Sequence, residues 1–258
     1  MWSSFPRLVA NENMKIYFRV RTWIMLAILV FFSAAMPAML YVTGAAMDAW
    51  TVFTWTESFT LYLSAIFTVV IAADIVAGEF ATGTIKLLLI RPLRRGKILM
   101  SKWVAVLLFI LLCAVLTALV GIALAQLFFA GASSLGSESG ASSISSSLLL
   151  LLTDTIQLVM IALVAFMLST VFRSGSLAIG ISLLILFTKD LFGFMLNPDK
   201  YAWAKYILFL HIDLSGYIQS PIGPGGVSLS FSIFILAAYS LVFLLVAWWA
   251  FAKRDVAA

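Results

Sequence analysis

Residues 103–130, WVAVLLFILLCAVLTALVGIALAQLFFA, form an apolar run with no charged residue. A run of this length can only be covered by other apolar surface or by lipid, and roughly 20 apolar residues suffice for one helical crossing of a bilayer. Five further segments share the pattern, at 22–43, 58–77, 148–171, 177–196 and 229–251. The second is the shortest clean run and carries Asp74 near its far end, while Lys189 and Asp190 interrupt the fifth. The chain of 258 residues is 64% hydrophobic and only 10% charged, against about a quarter charged in an ordinary soluble domain, and its mean hydropathy is +1.13. Alternating barrel patterning is absent, and in lipid a helix satisfies its own backbone hydrogen bonds. The expectation is an all-α polytopic membrane protein with six transmembrane helices.

The distribution of charge orients the spans. Thirteen of the sixteen Lys and Arg residues fall in the N-terminal tail, the 78–102 connector, the 172–176 turn and the C-terminal tail. Only Lys189, Lys200 and Lys205 fall on the other side. The positive-inside rule then places both termini and the basic connector in the cytoplasm. The placement of the +5 net charge beside the membrane argues against nucleic acid as a partner. More than twenty residues, Glu12 among them, precede the first apolar run, and FFSAAMPAML offers a poor cleavage site, so a retained first span is expected over a removed signal. The single cysteine, Cys113, lies inside an apolar run, excludes an internal disulfide and reads as a core residue.

Three connecting pieces carry more pattern. Before the first span, Val9, Ile16, Val20 and Trp23 recur at helical spacing while Glu12, Lys15 and Arg19 share another face. That predicts an amphipathic interface helix over residues 1–21, with cations near anionic headgroups; a basic tail that only sets topology is the plainer alternative. Residues 131–147, GASSLGSESGASSISSS, read as a flexible Ser/Gly loop. Residues 197–228 are apolar and aromatic but broken by Gly and Pro. They predict short helices dipping back into the membrane and ending at Pro221–Gly226, with an ordinary aromatic loop as the alternative.

Reactive chemistry is sparse. One histidine, His211, cannot build a His-rich metal site, and no HExxH, CxxC, GxSxG or P-loop motif is present. The chain is therefore read as neither an enzyme nor an ATP-binding protein, with no cofactor of its own. The intramembrane polar residues Asp154 and Gln157, one turn apart, and Lys189 and Asp190 are candidates for the lining of a path. Taken singly, each reads as readily as a snorkelling residue or a satisfied interhelical pair.

The densest charge lies in GEFATGTIKLLLIRPLRRGKILMSK, Gly78 to Lys102. Ile85, Leu88 and Leu89 share one helical face, Pro92 ends that helix, and Arg91, Arg94, Arg95 and Lys97 surround the stop. A lipid-headgroup anchor would use the cations. It has no need of the Gly83–Thr84 step, the Pro stop or an apolar knuckle, which suit docking of a helix into a partner's groove.

This segment resembles the hallmark of ABC-2 type permeases, with Glu79, Gly83, Thr84, Pro92, Arg95 and Lys102 matching position by position. The pieces NENMKIYFRVRTWIML and FAKRDV are similar to the ends of such subunits, so the resemblance covers essentially the whole chain. Arg94 departs from it, since a small polar residue is more usual there. The resemblance implies one transmembrane domain over 1–258. Spans one and two would occupy 22–77, a cytoplasmic coupling segment 78–102, spans three to five 103–196, re-entrant outer helices 197–228, and span six with its tail 229–258. It implies the multi-pass permease subunit of an ATP-driven exporter in a bacterial plasma membrane. A second permease copy or a sister chain and two cytoplasmic ABC ATPases, which hold the ATP and Mg, would complete it. A Phe- and Met-rich seam along spans one and five would suit an amphipathic or hydrophobic cargo, such as a peptide toxin, an antimicrobial peptide, an antibiotic or a lipid-like molecule. Two other classes stay open: a membrane scaffold or sensor that holds a cytoplasmic regulator through the connector, and an autonomous secondary transporter, which the lack of an internal repeat disfavours.

Overall fold

The computed structural model describes residues 4–82, 94–130, 144–172, 174–196, 201 and 203–253. Within them the chain is helical: α1 Ser4–Tyr17, α2 Val20–Val42, α3 Ala49–Ala81, α4 Arg95–Phe129, α5 Ile144–Val171, α6 Gly175–Met195, α7 Gly216–Gln219 and α8 Leu229–Lys253. The helices α2, α3, α4, α5 and α8 are five that are long and apolar enough to cross a membrane. In α6 the purely apolar stretch is shorter, Gly175–Lys189. Among the described residues the chain is thus all-helical, and it is a multi-pass membrane protein.

The second apolar segment is longer than its clean run. α3 begins at Ala49, nine residues before the expected 58, because Asp48 caps it. The Asp48 carboxylate accepts from the Trp50 and Thr51 amides, both at 3.1 Å. Thr56 and Thr60 then hide their hydroxyls by donating to the Val52 and Thr56 carbonyls at 2.8 and 2.9 Å. At 33 residues and about 1.5 Å per residue, α3 is about 50 Å long, well beyond a hydrocarbon core of about 30 Å.

α3 is also the centre of the bundle, packing most extensively on α5 and then on α4. Small residues permit the close α3–α5 approach: Ala72, Ala73, Ala77, Ala162 and Ala165 are all fully buried. The Ser169 hydroxyl on α5 sits 3.0 Å from the Ala77 amide nitrogen. Around this contact lies the main core, with Val69, Val76, Ile98, Trp103, Val106, Leu163 and Phe166. A second cluster, including Ile16, Leu29, Phe67, Phe109 and Cys113, ties α1 and α2 to α3 and α4. On α2 and α8 the outward side chains are apolar, among them Phe31, Trp248 and Trp249, as on helices whose solvent is lipid.

Several boundaries differ from expectation. The piece 78–102 is not all connector: α3 runs to Ala81 and α4 starts at Arg95, so Lys102 lies two turns inside α4 rather than at its mouth. Residues Gly83, Thr84, Ile85, Leu88, Leu89, Arg91 and Pro92 lie outside the described residues. In the Ser/Gly loop, Ile144 to Ser147 belong to α5, and Ser147 is buried. The expected helical face Val9–Ile16–Val20–Trp23 is broken at Phe18–Arg19, where Arg19 is extended (φ −86°, ψ 125°). As a result Val20 and Trp23 point outward while Ile16 is buried.

Between α6 and α8, where short helices dipping back into the membrane are expected, the described residues form three-residue 3-10 turns and the four-residue α7. His211 fastens this segment to α8. Its Nδ1 lies 2.7 Å from Ser232 Oγ and its Nε2 2.8 Å from the Lys205 carbonyl. The carbonyl can only accept, so Nε2 carries the hydrogen and Nδ1 accepts from Ser232, whose oxygen lies 2.7 Å from the Tyr217 hydroxyl.

Candidate functional site

At the C-terminal end of α3, three carboxylates and four cations from four helices meet. Lys102 of α4 is fully buried. A buried ammonium needs compensation on every side. Its Nζ pairs with Glu12 Oε2 and Glu79 Oε1, both at 2.7 Å, and donates to the Ile75 carbonyl at 3.1 Å. Lys15 closes the ring, 2.7 Å from Glu12 Oε1 and 2.7 Å from Glu79 Oε1. One turn earlier on α3, Asp74 Oδ2 accepts from both Arg19 and Arg21.

Local structure explains why these groups meet. Glu12 and Ile16 are one helical turn apart and face inward together. The amphipathic reading of α1 put Glu12, Lys15 and Arg19 on an outer polar face. Instead Glu12 lies on the buried face, because the ammonium of Lys102 is there to receive it. Thr22 and Trp23 fix the α1–α2 junction by donating to the Ile16 and Tyr17 carbonyls at 2.6 and 2.8 Å, which holds Arg19 and Arg21 against α3. Gly78 leaves the space for Asp74: a methyl there would come within 2.6 Å of Asp74 Oδ1.

The electrostatics follow the geometry. Burial by itself raises the Glu12 pKa, yet the charge of Lys102 and hydrogen bonds from Lys102 and Lys15 outweigh it and hold the carboxyl below its ordinary value. Lys15 is the mirror case: burial lowers it, and hydrogen bonds and charge from Glu12 and Glu79 carry it above the ordinary lysine value. Beside the ion pairs opens a cavity of about 770 Å³ whose lining includes Leu8, Ile16, Lys15, Arg19, Asp74 and Thr82. The assembly has no nucleophile paired with a base. It can transmit force between α1, α3 and α4, because moving any one of them would break charged contacts.

The remaining expected site residues fall into two groups. Arg94, Arg95 and Lys97 cluster at the start of α4, and Arg95 donates from Nη1 to the Ala252 carbonyl at the end of α8, at 2.8 Å. Asp154, Gln157 and Lys189 are buried elsewhere, within the bundle. The side chain of Asp190 lies outside the described residues. Asp154 instead faces a carboxylate that the sequence pattern did not single out, Glu57 of α3, and the two line one small cavity. Glu57 precedes the clean apolar run, so hydropathy leaves it outside the helix, whereas the Asp48 cap puts it inside. Arg21 and Asp74 join the ion-paired cluster although no local sequence pattern marks them as partners. Among the described residues, no group of three or more His, Cys, Asp or Glu side chains is placed to hold a metal.

Sequence comparison gives a family and two relatives. Residues 13–257 match the family described as "Protein of unknown function (DUF2705)". An "Uncharacterized protein YhcI" of Bacillus subtilis is 40% identical over 222 residues, covering 81% of this chain and 69% of that protein. An "Uncharacterized membrane protein YdbK" of the same organism is 29% identical over 235 residues, covering 90% of this chain and 94% of the relative. The chain belongs to that family of unknown function.

Proposed function

We propose, from the resemblance of residues 78–102 to the coupling segment of such subunits, that the chain is the membrane-spanning permease subunit of an ATP-driven exporter of the ABC-2 type. One observation carries the reading: Glu79 and Lys102, which flank the basic segment on either side, are ion-paired to each other, and Lys102 is also ion-paired to Glu12. A push on the segment between them, Thr82 to Arg94, then loads α1, α3 and α4 together. Two cytoplasmic ABC ATPases would deliver that push, holding the ATP and Mg that this chain has no P-loop to bind. Two copies of the chain, or one copy and a sister permease, would form the path.

In this reading α6 is the sixth span, and both termini lie in the cytoplasm of a bacterial plasma membrane. The apolar outer surfaces of α2 and α8 suit lipid, and an amphipathic or hydrophobic cargo of the peptide-toxin, antimicrobial-peptide, antibiotic or lipid-like kind moves outward. The relative described as a membrane protein agrees with the membrane part of this reading.

The test is co-purification with candidate ATPases from neighbouring genes, followed by ATP hydrolysis in lipid. The reading fails if no ATPase binds, or if alanine at Arg91, Arg94, Arg95 and Lys97 leaves binding and turnover unchanged. Glu79→Ala should separate hydrolysis from transport. A chain that holds a cytoplasmic regulator with no ATPase activity would instead be a scaffold.

A further inference from the structure

The N-terminal half of α3 holds a carboxylate with no partner. Glu57 lies eight residues into the helix, about 12 Å along its axis from Ala49, and is only 3% exposed. Its Oε1 and Oε2 are both buried and neither makes a hydrogen bond. Glu57 lines a cavity of about 20 Å³ between α3, α4 and α5, together with Asp154, Thr60, Ser64 and Thr117. Asp154, ten residues into α5 and 7% exposed, is within electrostatic range of Glu57. Lys189 of α6 and Asp213 of the α6–α8 segment act in turn on Asp154. α4 contributes Ala114 and Thr117 to the lining and no charge.

The lining selects its occupant. Two carboxyl groups, Glu57 and Asp154, share it with no cationic side chain on the lining, in a part of the chain where lipid offers no counter-ion. The hydroxyl hydrogens of Thr60 and Thr117 are committed to the Thr56 and Cys113 carbonyls, each at 2.9 Å, so these residues offer lone pairs to their neighbours. Ser64 is the one hydroxyl on the lining whose hydrogen is not committed within its own helix. A pocket rich in oxygen acceptors and short of donors asks for a positive charge, and hard oxygen donors favour a hard cation over a soft metal. A space of this volume takes one water-sized body, since about 10–15 Å³ is the minimum for a single water. An ammonium or guanidinium group of a larger molecule does not fit. We propose that Glu57 and Asp154 form a binding site for one small monovalent cation, a proton or Na⁺, inside the membrane-spanning bundle. The site stands independently of the ATPase-coupling reading and is tested without an ATPase.

The experiment uses the purified full chain in lipid nanodiscs at neutral pH. Thermal unfolding is followed in sodium chloride against choline chloride at equal ionic strength, and the infrared spectrum is searched for the carbonyl stretch of a protonated carboxyl. A Na⁺ site raises Tm by several degrees in sodium and not in choline, and Glu57→Gln and Asp154→Asn each abolish the difference. A proton site leaves Tm insensitive to sodium and shows the protonated-carboxyl band in Na⁺-free buffer; Glu57→Gln removes the band and Glu57→Asp shifts it. If the unaltered chain shows neither the band nor a sodium-specific shift, or if every salt stabilises it equally, the site does not exist. These decisive readings come from the unaltered chain, so a variant that fails to fold does not blunt the test.

Discussion

α3 buries acidic side chains in two places. Near its C-terminus, Glu79 and the facing Glu12 are matched by Lys102 and Lys15, and Asp74 by Arg19 and Arg21. Near its N-terminus, Glu57 has no hydrogen-bond partner, and the nearest charge acting on it is another carboxylate, Asp154. The same helix therefore uses carboxylates in two ways. Where cations answer them, removing one partner leaves a buried charge exposed to no solvent, which makes the cluster a joint. Where nothing answers them, the acid tolerates neutralisation, which makes the place a receptacle. Substitutions should separate the two.

Lys102→Met should have the largest effect. It leaves Glu12 and Glu79 with only the partly exposed Lys15 shared between them, and breaking a buried pair from one side costs about 3–5 kcal/mol. Thermal unfolding and size-exclusion profiles in detergent should show a sharp loss of folded protein. Adding Glu12→Gln should recover part of that loss; a fully additive double variant would mean the two residues do not act as one unit.

Acidification should come next. Because the folded pKa of Glu12 is lowered, its stabilising contribution is complete above the ordinary glutamate value. It disappears as pH falls through the lowered folded value. Glu12→Gln should flatten the acid side of a Tm-against-pH profile. Lys15 runs the other way: its raised pKa gives a contribution that is complete below the ordinary lysine range and is lost as pH climbs through the raised folded value.

Asp74→Asn should be milder, about 1 kcal/mol, because the arginines it releases are partly solvated and exposed pairs contribute little. Gly78→Ala tests the same contact from the backbone side, since the added methyl would displace the Asp74 carboxylate. Glu57→Gln should be neutral or stabilising in the absence of its cation, as is common when a buried charge gives way to a neutral group. A loss as large as that of Lys102→Met would erase the distinction between the two ends. Deleting residues 133–143 should leave Tm unchanged, whereas extending the deletion to 147 removes the first turn of α5 and buried Ser147, and should destabilise.

The sequence made the apolar helices legible, because apolar runs of about 20 residues allow few other structures. It made the charge of Glu79 and Lys102 legible too, although not their meeting. Glu12 and Lys102 are 90 positions apart, and no local periodicity reports a contact between helices so far apart in the chain. Helical spacing even misdirected the reading of α1, since one buried ammonium was enough to turn Glu12 toward the apolar side. Glu57 was lost to a boundary: hydropathy alone starts the helix after it, while the Asp48 cap starts it before.

The hydrogen bond from Arg95 to the Ala252 carbonyl has a practical side. It sets the last turn of α8 beside Arg95, the residue from which α4 departs. A fluorescent reporter placed at this end of α8 would sit near the start of α4, and would serve as a readout of any partner that docks there. A bulky affinity tag at the same place would compete with that partner, so purification handles belong elsewhere on the chain.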